Sequence, residues 1–391
     1  MTHMDARVTR TPQAALTGRR LPLLDVLRGA AILGTLMTNV WIFTGPGAEW
    51  GALESGTDTG TVAAVFSVLA NGKFLSLLTI LFGVGLAIQY ASAERRGQPW
   101  PGRYRWRALF LFGEGTVHFV LVFAWDVLMG YAVTALLVAW LLTRSERAQR
   151  RVMWWAAGIH LTLMGLLTAA LATAGGDDGD GGDGGGVSGE VVDLYAHGSY
   201  LDQVAFRLEN ALALRMEPVL TFFLLLFLFL LGVRLFRAGA FGADGTGRRL
   251  RSRLLAWGLG LGLPLNIAAT VAGQDFFLLA RYGTAPLLAV GYIGLIGAVV
   301  DRVRRPGPLM TGLTSVGRTA LSGYVLQNVL CVLVSYGIGL GLAERLGDTG
   351  PWWVVDLWVT VCAILMAGST LWLRRFSAGP LESIQKWALR H

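Results

Sequence analysis

Residues 62–90 read VAAVFSVLANGKFLSLLTILFGVGLAIQY, a long apolar run carrying a single charge, Lys73. A helix needs about 20 predominantly apolar residues to cross a hydrocarbon core about 30 Å thick, and this run is long enough to do so. Comparable runs cover residues 22–43, 106–124, 127–143, 152–174, 218–236, 254–273, 283–300, 315–341 and 352–373, so the pattern predicts ten spans. The composition agrees: 54% of the residues are hydrophobic, 15% are charged and the mean hydropathy is +0.54, too little polar surface to cover a soluble globule. The expected fold class is an all-α polytopic membrane protein.

Charge between the runs sets the expected topology. Arg95, Arg96, Arg103, Arg105 and Arg107 follow the second span, and Arg144, Arg147, Arg150 and Arg151 follow the fourth. Further arginines follow the sixth (Arg234, Arg237, Arg248, Arg249, Arg251, Arg253), the eighth (Arg302, Arg304, Arg305) and, with Lys386 and Arg390, the tenth (Arg374, Arg375). The other connections carry acidic residues and little Arg. Cytoplasmic loops collect Lys and Arg, so both termini are expected in the cytoplasm of a cell with the chain in its inner (plasma) membrane as a multi-pass protein. The net charge of +8 is spent on these short runs and forms no stripe or arm, which excludes a nucleic-acid surface. The resulting organisation is a basic tail (1–20), a five-helix half (21–174), an outer loop (175–216), a second five-helix half (217–373) and a basic tail (374–391). The first apolar run is too long for a signal peptide and is expected to remain.

The outer loop opens with Gly175 to Gly186, a run of Gly and Asp alone that is expected to be a solvated linker. Calcium is the alternative, but no regular ligand spacing supports it. Leu201, Val204, Leu208, Ala211, Leu212 and Met216 then recur at helical spacing, with Asp202, Arg207, Glu209 and Arg215 elsewhere around the helix, which predicts an interfacial helix. Cys331 and Cys362 lie inside apolar runs, so neither a disulfide framework nor a metal cluster is expected.

Ionisable groups inside spans are costly and tend to line cavities, pair or act. Asp25 and Arg28 are three residues apart on one helical face and can pair; alternatively Arg28 offers its fork to an entering phosphate or carboxylate. Asn39 lies further along the same span, suited to orienting an acceptor or bonding a neighbouring helix. Lys73 is too deep to snorkel and is expected to face a carboxylate or a wet cavity. Glu114 and His118 are four residues apart, with Asp126 eight beyond His118, a base-and-orienter pattern for proton transfer. A buried His satisfied by a neighbouring helix is the plain alternative. Arg318 adds a second cation near the cytoplasmic side, and Gln327 and Asn328 sit near mid-membrane as either substrate contacts or interhelical bonds. Asn266, Asp275, Arg281 and Tyr282 collect at the outer ends of spans seven and eight.

Five ordered motifs resemble the bacterial YeiB-like family (domain of unknown function 418). They are Leu24-Asp25-Val26-Leu27-Arg28-Gly29 with Asn39; the run Phe74 to Gly85; His118 followed by Asp126-Val127-Leu128 and Tyr131; Gly317-Arg318-Thr319-Ala320-Leu321 with Tyr324 and Gln327; and Gly379-Pro380-Leu381-Glu382. The family looks distantly similar to membrane-embedded acyltransferases of the acyltransferase-three and heparan-glucosaminide acetyltransferase groups. That resemblance implies transfer of an acyl group from cytoplasmic acyl-CoA to an outer acceptor hydroxyl. The acyltransferase-three pattern has a His where this chain has Asn39, so His118, oriented by Glu114 or Asp126, has to supply the base. Arg28 and Arg318 would then hold the CoA phosphates, and Asn39 or Lys73 would polarise the carbonyl. The alternatives are a transporter for a small anionic or zwitterionic solute using the same residues, and a scaffold or sensor whose polar groups only pack the bundle. The expected partners are therefore the bilayer and either acyl-CoA or a small polar solute; the choice between monomer and homodimer stays open.

Overall fold

A computed structural model of the protein describes residues 21–54, 60–174 and 187–389. The basic N-terminal tail and the Gly/Asp run, with the linker and calcium readings attached to them, lie outside the described residues. Every regular element among the described residues is helical. Six helices are long and apolar enough to cross a membrane: Pro22–Thr44, Thr61–Arg95, Glu146–Thr173, Gly245–Val271, Gln274–Arg302 and Trp352–Trp372. Leu128–Leu141 and Ala320–Ser335 are shorter apolar helices of the same bundle. Large apolar side chains such as Trp155, Leu166 and Val271 point outward, unlike the surface of a soluble bundle. The chain is an α-helical membrane protein.

In chain order the helices are α1 (Pro22–Thr44), α2 (Ala48–Glu54), α3 (Thr61–Ala70), α4 (Lys73–Arg95), α5 (Tyr104–Leu121), α6 (Leu128–Leu141) and α7 (Glu146–Ala174). Four short helices follow, α8 (Gly189–Ala196), α9 (Tyr200–Glu209), α10 (Ala211–Leu214) and α11 (Met216–Leu220). The second part contains α12 (Phe222–Arg237), α13 (Gly245–Gly260), α14 (Gly262–Val271), a π-helical turn (Leu279–Thr284), α15 (Ala285–Arg302), α16 (Pro308–Arg318), α17 (Ala320–Ser335), α18 (Leu342–Leu346), α19 (Trp352–Trp372) and α20 (Pro380–Ala388).

Several apolar runs that read as single rods are broken. The run quoted first splits at Asn71-Gly72, where Gly72 has φ +76° and sits so close to the Arg281 carbonyl that a Cβ would lie 2.2 Å from it. The run 315–341 splits at Thr319, and 254–273 splits at Leu261. Hydropathy reports how apolar a stretch is and is blind to a one-residue change of backbone direction. Irregular backbone at membrane depth needs polar partners or a cavity beside it, and both are found here.

Helix α1 is central, packing on α16, α17, α4 and α19. Glycine permits its closest approach. A Cβ on Gly29 would lie 2.0 Å from the Leu313 carbonyl oxygen, and one on Gly317 would lie 1.8 Å from that of Asp25. These contacts bring α1 and α16 together at the level of Arg28 and Arg318. Small residues allow such backbone approach where van der Waals packing, not hydrophobicity, drives association.

The predicted interfacial helix is three pieces, α9, α10 and α11, separated at Asn210 and Arg215. α9 begins with a capping box: Ser199 Oγ accepts the Asp202 N–H, and Asp202 accepts the Ser199 N–H. The Ser199 contacts hold the Asp202 carboxyl below its ordinary range. Leu201, Leu208 and Leu212 face outward as expected, but Gln203 and Arg207 are fully buried against the bundle. The polar face is the inward one because Arg207 Nε donates to Glu49 of α2 at 3.0 Å.

Candidate functional site

Three cavities lie in a row along α1. The first, about 290 Å³, lies by Arg28 and Ile32 and is also lined by Arg107, Arg318, Glu382 and the apolar Leu81, Phe82 and Leu111. The second, narrow at about 30 Å³, is lined by Thr35, Thr38, Asn39 and Ile42, with Gly72, Glu217 and Arg281 opposite. The third, about 800 Å³, begins at Trp41 and Ile42 and continues past the end of the helix to Pro46. Leu78 and Tyr324 line both the first and the second, and Ile42 lines both the second and the third. At 1.5 Å per residue, Arg28 and Trp41 are about 20 Å apart along the axis, two-thirds of a hydrocarbon core.

Tyr324 separates the first two cavities, and His118 lies behind it with the ring centroids 5.3 Å apart. His118 is buried. Its Nδ1 lies 3.3 Å from Asp126 Oδ1, and its Nε2 lies 3.1 Å from Asn328 Nδ2. An amide donor at Nε2 makes that nitrogen the acceptor and leaves the proton on Nδ1, toward Asp126. Asp126 is held by the start of α6, since its Oδ2 accepts the Leu128 and Met129 N–H groups at 3.0 and 3.3 Å. Arg215 completes the group. It donates to the Asp126 carbonyl at 2.9 Å, approaches the Asp126 carboxylate at 3.8 Å and lies over the Phe119 ring.

The sequence-predicted residues separate into those brought together and those not. Arg28 and Arg318 share the first cavity, and Asp25 lies 3.4 Å from Arg28. Asn39 faces the second cavity. Asp126 meets His118, whereas both carboxyl oxygens of Glu114 are buried without a hydrogen-bond partner, so the orienter is Asp126. Lys73, expected to face a carboxylate or a wet cavity, instead donates its Nζ to the Ser67 carbonyl at 2.8 Å across the α3–α4 break. The Ser67 carbonyl, in the last turn of α3, also accepts the Asn71 N–H at 3.0 Å, so Lys73 adds a second bond there. Gln327 is fully buried, lines none of the three cavities, and neither amide atom has a partner.

Three of the four residues that collect at the ends of spans seven and eight, Asn266, Arg281 and Tyr282, join one network, with partners that local spacing does not indicate. Arg281, on the π-helical turn, donates to Glu217 at 2.9 Å and to Asn71, and Tyr282 Oη donates to the same Glu217 oxygen at 2.6 Å. The turn is held by Asn266, which donates to the Ala280 carbonyl at 2.9 Å, and by His160, 3.1 Å from the Tyr282 carbonyl. Such π turns often accompany functional sites because they aim a side chain that a regular helix would direct elsewhere. At the first cavity, Glu382 of α20 accepts the Leu321 N–H at 2.8 Å and the Ser322 hydroxyl at 2.6 Å, placing a carboxylate on the start of α17.

The fold and the site together define an α-helical membrane protein with a buried His–Asp pair packed against Tyr324, which itself lines two polar cavities. Residues 235–390 match the family described as "Protein of unknown function (DUF418)". The chain is 27% identical to the uncharacterized protein YxaH of Bacillus subtilis (strain 168), an alignment covering 95% of this chain and 94% of the relative. It is likewise 27% identical to the uncharacterized protein YeiB of Escherichia coli (strain K12), over 92% of this chain and 93% of the relative. The chain is thus similar over nearly its whole length to two uncharacterized proteins, and its C-terminal part matches the DUF418 family.

Proposed function

We propose that this protein is a membrane acyltransferase that takes an acyl group from acyl-CoA at the cytoplasmic face and passes it to an acceptor hydroxyl at the outer face. The observation that carries the reading is the row of cavities. An arginine-lined cavity with apolar walls meets a second polar cavity at Tyr324, against His118 and Asp126. The Arg distribution orients the row, with ten spans, both termini in the cytoplasm and the chain in the inner membrane. Arg28, Arg107 and Arg318 suit the phosphates of CoA, and Leu81, Phe82 and Leu111 suit an acyl chain.

In the reaction the acceptor oxygen attacks the thioester carbonyl carbon while His118 Nε2 takes the hydroxyl proton. The C–S bond then breaks, and the thiolate leaves and recovers that proton. Asp126 stabilises the imidazolium through Nδ1–H. The acceptor hydroxyl replaces the Asn328 amide at Nε2 in this step.

Binding of acetyl-CoA and longer acyl-CoAs to detergent-purified protein is tested by thermal shift. A ligand at a hundred times its Kd stabilises by about 2.7 kcal/mol, enough to move the Tm by several degrees. The expected result is a shift lost in Arg28→Ala and kept in His118→Ala, with product formation lowered about 10²-fold or more in His118→Ala. No shift with any acyl-CoA sinks the reading.

A second reading, transport of a small anionic or zwitterionic solute, draws on the row of three cavities along α1. Proteoliposome flux without an acylated product would favour it.

A further inference from the structure

Helix α20 has three faces with three chemistries. At 3.6 residues per turn, Pro380, Ile384, Trp387 and Ala388 share one arc, Ser383 and Lys386 a second, and Glu382 and Gln385 a third. The third arc faces the protein, since Glu382 and Gln385 both line the first cavity and Gln385 is buried. The apolar arc faces away from it, with Ile384 50% and Trp387 66% exposed. A helix that packs on its own chain by hydrophobic burial has these two faces the other way round.

The start of α20 is pinned beside the end of a membrane-spanning helix. Trp372, the last residue of α19, donates its indole N–H to the Ala378 carbonyl at 2.9 Å and stacks on Phe376, which fixes the connection between the two helices. The Leu381 N–H then donates to Ser322 Oγ at 3.0 Å, beside the Glu382 bonds to the start of α17. The apolar arc is therefore held next to the level at which a span leaves the hydrocarbon.

The charge around the arc says what covers it. Arg374, Arg375 and Lys386 are all exposed, and Phe376 between the two helices is 50% exposed. From the end of α19 to residue 391 the only acidic residue is Glu382, and it is turned to the cavity. An exposed face of Trp, Phe and Ile flanked only by cations is complementary to an anionic lipid surface: the aromatic rings suit the headgroup level and the basic residues suit the phosphates.

We infer that α20 lies on the anionic bilayer surface at which α19 ends, with Ile384 and Trp387 in the interface and Arg374, Arg375 and Lys386 at lipid phosphates. One short helix then has lipid on one face and the first cavity on another. The inference does not rest on the acyl-transfer reading.

Spin labels on the full-length protein in nanodiscs test it. Ile384→Cys and Ala388→Cys place labels on the apolar arc, Ser383→Cys places one on the polar arc, and wild type, whose Cys331 and Cys362 are buried, is the labelling control. In discs containing phosphatidylglycerol, the labels at 384 and 388 should relax with oxygen, which concentrates in the bilayer, and the label at 383 with a water-soluble nickel chelate. In discs of phosphatidylcholine alone the ratio of seated to released helix should fall. Arg374→Gln/Arg375→Gln/Lys386→Gln should lower the same ratio in phosphatidylglycerol by about fivefold for each charge removed.

Three results overturn the inference. The first is equal access of the nickel chelate to the labels at 384, 388 and 383. The second is seating that ignores both lipid charge and the triple variant. The third is shielding of 384 and 388 from both reagents, which puts protein, such as a second copy of the chain, on the arc instead of lipid.

Discussion

Two groups of buried charges adjoin in this bundle, Arg207 bonding the Val120 carbonyl two residues from His118, and they are satisfied to different degrees. Glu49 and Arg207 are both fully buried, and both Glu49 oxygens are bonded: Glu49 accepts Arg207 Nε at 3.0 Å and the hydroxyls of Tyr336 and Tyr195 at 3.3 and 3.4 Å, while Arg207 also donates to the Val120 carbonyl and keeps only Nη2 without a partner. Around His118 the polar atoms are left open. Both Glu114 oxygens, both Gln327 amide atoms, Asn328 Oδ1, and the facing His118 Nδ1 and Asp126 Oδ1 lack a well-aligned hydrogen bond. A directly bonded charge pair holds its elements together, whereas a cluster with acceptors left open retains capacity to bind or move a proton. The first fastens α2, α8, α9 and the end of α17 to one another; the second lies where the cavities meet.

The sharpest way to break this comparison is to remove one charge from each group with the same isosteric change. Glu49→Gln leaves Arg207 buried without its counter-charge, and losing one partner of a buried pair costs about 3–5 kcal/mol. Thermal unfolding in detergent should show a large drop in Tm, and Glu49→Leu combined with Arg207→Met should recover much of it. An unchanged Tm in Glu49→Gln would mean that the pair does not hold α2 and α9 together. A smaller loss is expected at Glu382, whose carboxylate bonds the exposed start of α17. Glu382→Gln keeps the shape but weakens two charge-assisted hydrogen bonds, for about 1–2 kcal/mol by the same measurement. The neutral side chain also removes negative charge from the arginine-lined cavity, so acyl-CoA binding should tighten while stability falls.

The two groups were unequally legible in the sequence. His118 and Asp126 stand out because they are close in the chain and a helical period nearly aligns them; Arg28 and Arg318 stand out because each lies near the start of an apolar run within a recognisable motif. The helical membrane class follows from the length of the runs alone. The charge pair was illegible, since Glu49 and Arg207 are 158 residues apart and Arg207 sits in a segment whose apolar spacing suggested the opposite orientation. Arg281 stands out at the end of an apolar run, but its pairing with Glu217 was hidden for the same reason, since the two are 64 residues apart and are brought together by a π turn that no periodicity announces. Depth in an apolar run calls for a polar partner at Lys73 without naming which, and the broken helix supplies the Ser67 carbonyl in place of a carboxylate or water.

Glu114 gives the smallest expected effect and the most discriminating one, because its sign should be opposite to that at Glu49. Its oxygens are buried without a hydrogen-bond partner, so an ionised carboxylate there bears a desolvation cost that nothing beside it offsets. Glu114→Gln removes the charge at constant volume, and the amide still bears part of the polar penalty. The net change in stability should therefore be neutral to stabilising, by no more than about 1 kcal/mol. A rise or no change in Tm, set against the large fall for Glu49→Gln, places the open atoms around His118 in a cluster that costs stability to maintain. If Glu114→Gln instead falls as far as Glu49→Gln, Glu114 is half of a structural pair and the contrast between the two groups fails. Product formation in the same variant separates the remaining roles: Asp126, not Glu114, orients His118, so the rate should change by less than about tenfold, against the 10²-fold or greater loss expected in His118→Ala.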